Sequence, residues 1–213
     1  MKLRSFIALA CSLGINGYHA FYPLTAVAQE LVPSSSIAPV MTNTPSAVAD
    51  EEEGEELVMF QKAGKYGFKD EEGNVQIAAK YDNAYDFYQG LAAVRIGDRW
   101  GYINDDGEME IPLQFDGAGS FSRGLAAVQI GDKWGYINDD GIMVIAPSFD
   151  EADVFSGGLA KVRVGAKWGF VDKQGVMKIA PTFDDARGFE DNTAWVRIGK
   201  QVSFIDTDGK FLQ

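Results

Sequence analysis

Gly73, Gly107, Gly141, Gly175 and Gly209 stand 34 residues apart, four steps in succession, without insertion or deletion. Each closes a turn that follows an aromatic-glycine pair or its variant. The pairs are Tyr66-Gly67, Trp100-Gly101, Trp134-Gly135 and Trp168-Gly169, and the last has become Val202-Ser203. A constant period of this length means one supersecondary unit copied in tandem, each copy burying its apolar face against its neighbours. A period of 34 also belongs to a helix-pair repeat, so local patterning must decide between helix and strand. Two hairpin signals per unit, dense glycine and β-branched runs exclude the helix pair.

Residues 91–124 show the unit most clearly. Residues 91–96 (LAAVRI) read as a strand, and Gly97-Asp98 fits a two-residue turn of type II′. Residues 99–104 (RWGYIN) read as a second strand, and Asp105-Asp106-Gly107 closes a second hairpin with glycine in the left-handed position. Residues 108–113 (EMEIPL) read as a third short strand that either lies at an edge or ends at Pro112, which cannot donate to a ladder. The turn at Gly97-Asp98 sets Arg95 opposite Trp100, Ala93 opposite Tyr102, Val94 opposite Gly101 and Ala92 opposite Ile103. Arg95/Trp100 and Arg163/Trp168 are then expected cation–π pairs. Gly101, Gly135 and Gly169 are expected where another segment passes too close for a Cβ.

A connector follows each unit: Phe115-Asp116, Ala118 and Phe121 recur as Tyr81-Asp82, Ala84 and Phe87, and again in the next two copies. The two aromatics are expected to plug the seam between repeats, and the aspartate to accept backbone N–H groups.

The run GLAAVxIGDxWGYINDDG, at residues 90–107 and 124–141, resembles the WG-containing, or KWG, repeat family. Lys133-Trp134-Gly135 and Lys167-Trp168-Gly169 carry the triplet. Arg99-Trp100-Gly101 and Lys65-Tyr66-Gly67 are variants, and Gln201-Val202-Ser203 has lost it. The resemblance covers residues 57–213 and implies tandem β units in bacterial proteins that are often exported. It brings no established catalytic residues. The expected fold is all-β, with repeats at 57–90, 91–124, 125–158, 159–192 and a truncated 193–213. Each holds about three short antiparallel strands in an open, curved array. A closed propeller-like ring is the alternative, though 34 residues is short for a propeller blade.

The N-terminal quarter has a different composition. Residues 1–28 combine Lys2 and Arg4, an apolar run from Phe6 to Ile15 and the small-x-small end Ala26-Val27-Ala28, as a secretory signal peptide does. The run is too short for a stable membrane span, so none is expected in the mature chain. Residues 29–56 read as a disordered linker rich in Pro and Ser that ends in six carboxylates. The expected compartment is secreted, periplasmic or cell-envelope.

Net charge is −12. Setting aside Lys2, Arg4, Glu30 and the six linker carboxylates leaves the repeat region near −7, without the basic footprint that nucleic acid requires. The single Cys (Cys11) and single His (His19) both lie in the expected signal. Thiol nucleophiles, Ser-His-Asp triads and Cys/His metal sites are thereby excluded from the repeat region.

Remaining candidates are weighed against structural roles. The Asn-Asp-Asp-Gly turns lack the alternating oxygens of a calcium loop and read as turn chemistry. Carboxylate-pair hydrolysis is a weak candidate, because most carboxylates recur at equivalent turn positions. Tyr66, Trp100, Trp134 and Trp168 read first as inter-repeat core and second as a sugar-gripping row. Lys65, Arg99, Lys133 and Lys167 form a cationic row matched by Asp98 and Asp132. Trp195 departs from Ala93, Ala127 and Lys161 at its repeat position, and reads first as part of a C-terminal cap and second as a contact residue. Together with Arg95, Arg163 and Arg197 it makes the candidate binding surface. No cofactor, metal or catalytic residue is expected; the partner is an unidentified protein or envelope macromolecule.

Overall fold

The computed structural model describes residues 57–212, so the expected signal and linker lie outside the described residues. Every regular element in that span is a strand, and five separate antiparallel sheets follow one another along the chain. The first holds β1 (Val58–Lys62), β2 (Lys65–Lys69) and β3 (Val75–Tyr81). The second holds β4 (Asn83–Ala84), β5 (Ala92–Ile96), β6 (Arg99–Ile103) and β7 (Met109–Phe115). The third repeats it as β8 (Gly117–Ala118), β9 (Ala126–Ile130), β10 (Lys133–Ile137) and β11 (Met143–Phe149). The fourth is β12 (Glu151–Ser156), β13 (Leu159–Val164), β14 (Lys167–Val171) and β15 (Met177–Phe183). The fifth is β16 (Asp185–Ala186), β17 (Thr193–Ile198) and β18 (Gln201–Asp206). The sheets form an open array, and none closes into a barrel.

The three long strands per unit are those expected, with a fourth drawn from the connector. Asn83 and Ala84 pair with Arg95 and Val94, and the later connectors repeat this. The connector is too short and too polar to read as a strand by alternation, but its backbone finds ladder partners on the next β-strand.

The first hairpin has the expected register: Ala92 faces Ile103, Ala93 faces Tyr102, Val94 faces Gly101 and Arg95 faces Trp100. Gly97 sits at φ +59°, as the first position of a type II′ turn requires. Gly107 is at φ +77°, and its N–H donates to Asn104 O at 3.0 Å.

Burial shows how the sheets support one another. Residues 92–94 and 100–103 are buried on both strand faces, so this inner sheet is covered on both sides. One face of the second sheet (Leu91, Ala93, Tyr102, Ile111, Phe115) shares a core with the opposite face of the third (Ala126, Val128, Ile137). The connector residues Ala118 and Phe121 fill the seam, with Phe121 edge-on to Tyr102 at 4.9 Å. The same pairing recurs at the other three junctions. Burying a side chain such as Ile111 or Phe121 contributes about 1.5–3 kcal/mol. A lone sheet forfeits one whole face of such contacts.

Polar bonds cross the same seams. Tyr102 Oη donates to Gly119 O at 2.8 Å and Tyr136 Oη to Asp153 O at 2.7 Å. Ser122 Oγ donates to Phe155 O at 2.8 Å, and Gly124 N–H to Gln89 Oε1 at 2.9 Å.

The strand glycines answer to a single close approach. A Cβ on Gly101 would lie 2.5 Å from Ile111 O and 2.8 Å from the Pro112 carbonyl carbon. A Cβ on Gly135 would meet Pro147 N at 2.8 Å. The outer strand bulges here and lays its backbone across the glycine. Gly135→Ala is therefore expected to destabilise the domain by about 2–3 kcal/mol, because backbone cannot yield as a flexible side chain can. Gly119→Ala, with nothing nearer than 3.7 Å, is expected to stay within about 0.5 kcal/mol. Paired urea denaturation curves check both.

Candidate functional site

The residues that sequence singles out fall into two sets: those that build the repeat, and those that vary on a constant frame. The cationic row belongs to the first. Lys65 pairs with Asp82, Arg99 with Asp116 at 2.5 Å, Lys133 with Asp150 at 2.5 Å and Lys167 with Asp184 at 2.5 Å. The partners are thus the connector aspartates, not the turn residues Asp98 and Asp132. The signal was present as a recurring separation of 17 residues. Each aspartate turns its second oxygen to the glycine of the next hairpin: Asp116 accepts Gly131 N–H at 2.8 Å and Asp150 accepts Gly165 N–H at 2.6 Å. These exposed ion pairs add little by charge alone; their work is to fix the hairpin tip against the connector.

The aromatic row is divided. Trp100 is buried at 8% exposure, whereas Tyr66, Trp134 and Trp168 are half-buried. The tyrosines beside them are interior. Burial pushes the Tyr102 hydroxyl up, and burial together with the charge of Asp153 does so for Tyr136. Both remain neutral donors to the next repeat.

The second set lies on one face of each sheet, at four repeat positions: Asn83, Gly117, Glu151, Asp185; Tyr85, Gly119, Asp153, Arg187; Ala93, Ala127, Lys161, Trp195; and Arg95, Gln129, Arg163, Arg197. The ladders hold the first and fourth positions opposite each other, as Asn83–Arg95, Gly117–Gln129, Glu151–Arg163 and Asp185–Arg197. Arg95 lies 5.9 Å from the Trp100 ring, as expected. Arg163 does not cover Trp168. It donates from Nε to Glu151 Oε1 at 2.9 Å, and Lys161 takes the place over the indole at 4.4 Å. A carboxylate at 151 draws the guanidinium away, which the neutral Asn83 does not do to Arg95. Trp195 is half-buried opposite Phe204, with Arg187 at 5.5 Å from its ring. Arg95, Arg163 and Arg197 each donate to the carbonyl of the adjacent turn glycine, at 3.1, 2.9 and 3.2 Å.

The Asx turns are self-satisfied. Asn104 Oδ1 accepts Glu108 N–H at 2.9 Å, and Asp206 Oδ1 accepts Asp208 and Lys210 N–H at 3.0 and 2.8 Å. Among the described residues no group of three or more acidic, His or Cys side chains is gathered as a metal would require. No helix there is long and apolar enough to cross a membrane.

With this geometry in view, the family follows. The WG containing repeat model matches residues 66–100, 100–134, 134–168 and 168–201, and the chain belongs to that family. No curated protein matches it. Among solved structures it is similar to a KlHsv2 variant with loop 6CD replaced by a Gly-Ser linker. The TM-score is 0.52 and the identity 11%, over 74% of this chain and 62% of that one. The chain therefore spans about three fifths of that protein, and the likeness speaks of fold alone. A protein of unknown function from Bacteroides caccae matches at TM-score 0.37 and 14% identity, covering 74% and 76%. A plant lectin with two metal binding sites from Cicer arietinum matches at 0.27 and 11%, covering 58% and 84%. Scores that low carry no argument.

The connector aspartates predict a pH response. The hydrogen-bonded lysine first, and the turn glycine N–H second, hold Asp82, Asp150 and Asp184 below the ordinary value of 3.8. A carboxylate depressed on folding stabilises above its unfolded pKa, and that contribution disappears as pH falls through the folded value. The melting temperature is expected to be flat from pH 7 to about 5 and to drop below about pH 4. Asp150→Asn should flatten the drop, which calorimetry across that range would show.

Proposed function

We propose that this is an exported, non-enzymatic WG-repeat protein that binds another macromolecule through the face on which its repeats differ. The supporting observation is the distribution of difference itself. Most buried and turn positions are nearly the same in every copy, whereas Asn83/Gly117/Glu151/Asp185 and their three companion rows change in size, polarity and charge, even where Ala93 and Ala127 are buried. A scaffold selected for packing alone has no need of Tyr, Gly, Asp and Arg at one repeat position.

Charge chemistry argues against four of the aspartates as a catalytic acid. A carboxylate acid in a glycosidase needs a raised pKa. The aspartates with resolved shifts (Asp70, Asp82, Asp150 and Asp184) are all lowered. Burial pushes Asp70 up, but Asn74, Gln76 and the backbone pull it down further.

A carbohydrate-binding reading is second. It is favoured by the half-exposed indoles of Trp134 and Trp168 and weakened by the burial of Trp100.

Export predicts an N-terminus at Gln29, read by intact mass from the producing cell. Binding predicts that residues 29–213 retain one envelope component on affinity capture. Trp195→Ala with Arg163→Ala should lose it while the melting temperature stays within a few degrees. Retention by the double variant at wild-type level would remove this face from the proposal.

A further inference from the structure

In three of the five sheets a large ring on the varying face is covered by a side chain of its own sheet. Tyr85 stacks on Trp100, with centroids 5.2 Å apart and planes 11° from parallel. Lys161 sets its ammonium 4.4 Å from the centre of Trp168, and Arg187 lies 5.5 Å from Trp195. Trp134, like Tyr66 in the first sheet, has no such cover. At the position of Tyr85 its sheet has Gly119, at that of Lys161 it has Ala127, and at that of Arg95 it has Gln129. Among the described residues no ring stacks on Trp134 and no cation lies over it. The indole is half-buried, with an edge close to Gly117, where an added Cβ would lie 3.0 Å from it.

The next repeat shows what fits such a ring. The Lys161 ammonium has three partners: the Trp168 indole, the Asp153 carboxylate at 3.3 Å and the Ala186 carbonyl at 3.3 Å. Their counterparts one repeat earlier are Trp134, Gly119 and Ala152. The ring and the backbone of that cradle persist, while the lysine and its aspartate have been reduced to alanine and glycine.

Resting on the binding reading above, we propose that Trp134 is a recognition platform for a primary ammonium supplied in trans, the lysine side chain of a basic partner segment. A cation over an indole gains about 0.5–1 kcal/mol at an exposed site and more when desolvated. The acidic repeat region raises the local concentration of cations. A sugar ring asks in addition for polar side chains at the platform's border. Gly117, Gly119 and Ala127 offer none there, and Gln129 alone does.

The test titrates the full chain with an acetylated, amidated hexalysine and follows the indole N–H signals by NMR. The Trp134 signal is expected to shift first, with affinity falling as salt rises. Trp134→Leu should weaken binding about fivefold, equivalent to about 1 kcal/mol. Ala127→Lys combined with Gly119→Asp installs the pair that the following repeat already accommodates. It should suppress the Trp134 response while leaving the fold intact. Unchanged hexalysine affinity in both variants would reduce the effect to diffuse charge and overturn the proposal. A soluble hexose oligomer that moves the Trp134 signal where hexalysine does not would overturn it in favour of sugar. An envelope partner retained by Ala127→Lys/Gly119→Asp but lost with Trp195→Ala/Arg163→Ala would sink the ammonium platform alone. A partner indifferent to both sets would sink the binding face as well.

Discussion

The passage of an outer-strand backbone directly over a strand glycine governs the rest of this structure. Without a Cβ at 101, 135 or 169, the bulged outer strand drops onto the strand beside it, and Ile111, Ile145 or Ile179 is driven into the junction. The turn glycine of the following repeat then rests on that isoleucine: a Cβ on Gly141 would meet Ile111 at 3.1 Å, and one on Gly175 would meet Ile145 at 3.1 Å. Two glycines on different turns of the motif thus serve a single contact between neighbours. The three letters of the triplet divide the labour. The cation reaches the connector aspartate, the aromatic lies on the varying face, and the glycine admits the crossing strand.

Most of that frame was legible because it obeys local rules. A Gly-Asp turn between β-branched runs fixes register, and register fixes which of Ala92 or Ala93 faces which neighbour. The connector strand and the ion pairs were not legible in the same way. Asn83 and Ala84 form a strand through the groups offered by Arg95 and Val94, not through any pattern of their own. Lys133 reaches Asp150 because a hairpin and a bulge fold 17 residues back on themselves. Sequence proximity pointed instead to Asp132, on the same turn. The course of Arg163 likewise depended on Glu151, a residue distant in sequence and adjacent in the ladder.

The varying face inverts the usual relation between repetition and function. Where copies agree, a side chain is answering to a neighbouring copy. Where they disagree, that demand is looser, although Ala93 and Ala127 still pack in the junctions, and another can act. Lys161 and Asp153 balance each other over Trp168, whereas Ala127 and Gly119 leave Trp134 without such a pair. Sequence patterning ranked these rings together as core. Their unequal burial follows from what the other strands place beside them, which no period reveals.

The last sheet offers an internal control on the glycine argument. β18 pairs with β17 along one edge; along the other, an isolated bridge joins Ile205 to Phe211 and Leu212 N–H donates to Phe204 O. At position 203 the glycine has become Ser203 and the preceding tryptophan Val202. Val202 and Phe204 are about half exposed, while Tyr102 and Phe170 at the latter position are fully buried. If the strand glycines were retained for flexibility or hairpin folding, Ser203 should disturb the β17–β18 pairing. That ladder instead runs unbroken from Thr193–Asp206 to Ile198–Gln201. Glycine is required where a strand crosses, as at 101, 135 and 169, and pairing of the hairpin itself does not ask for it.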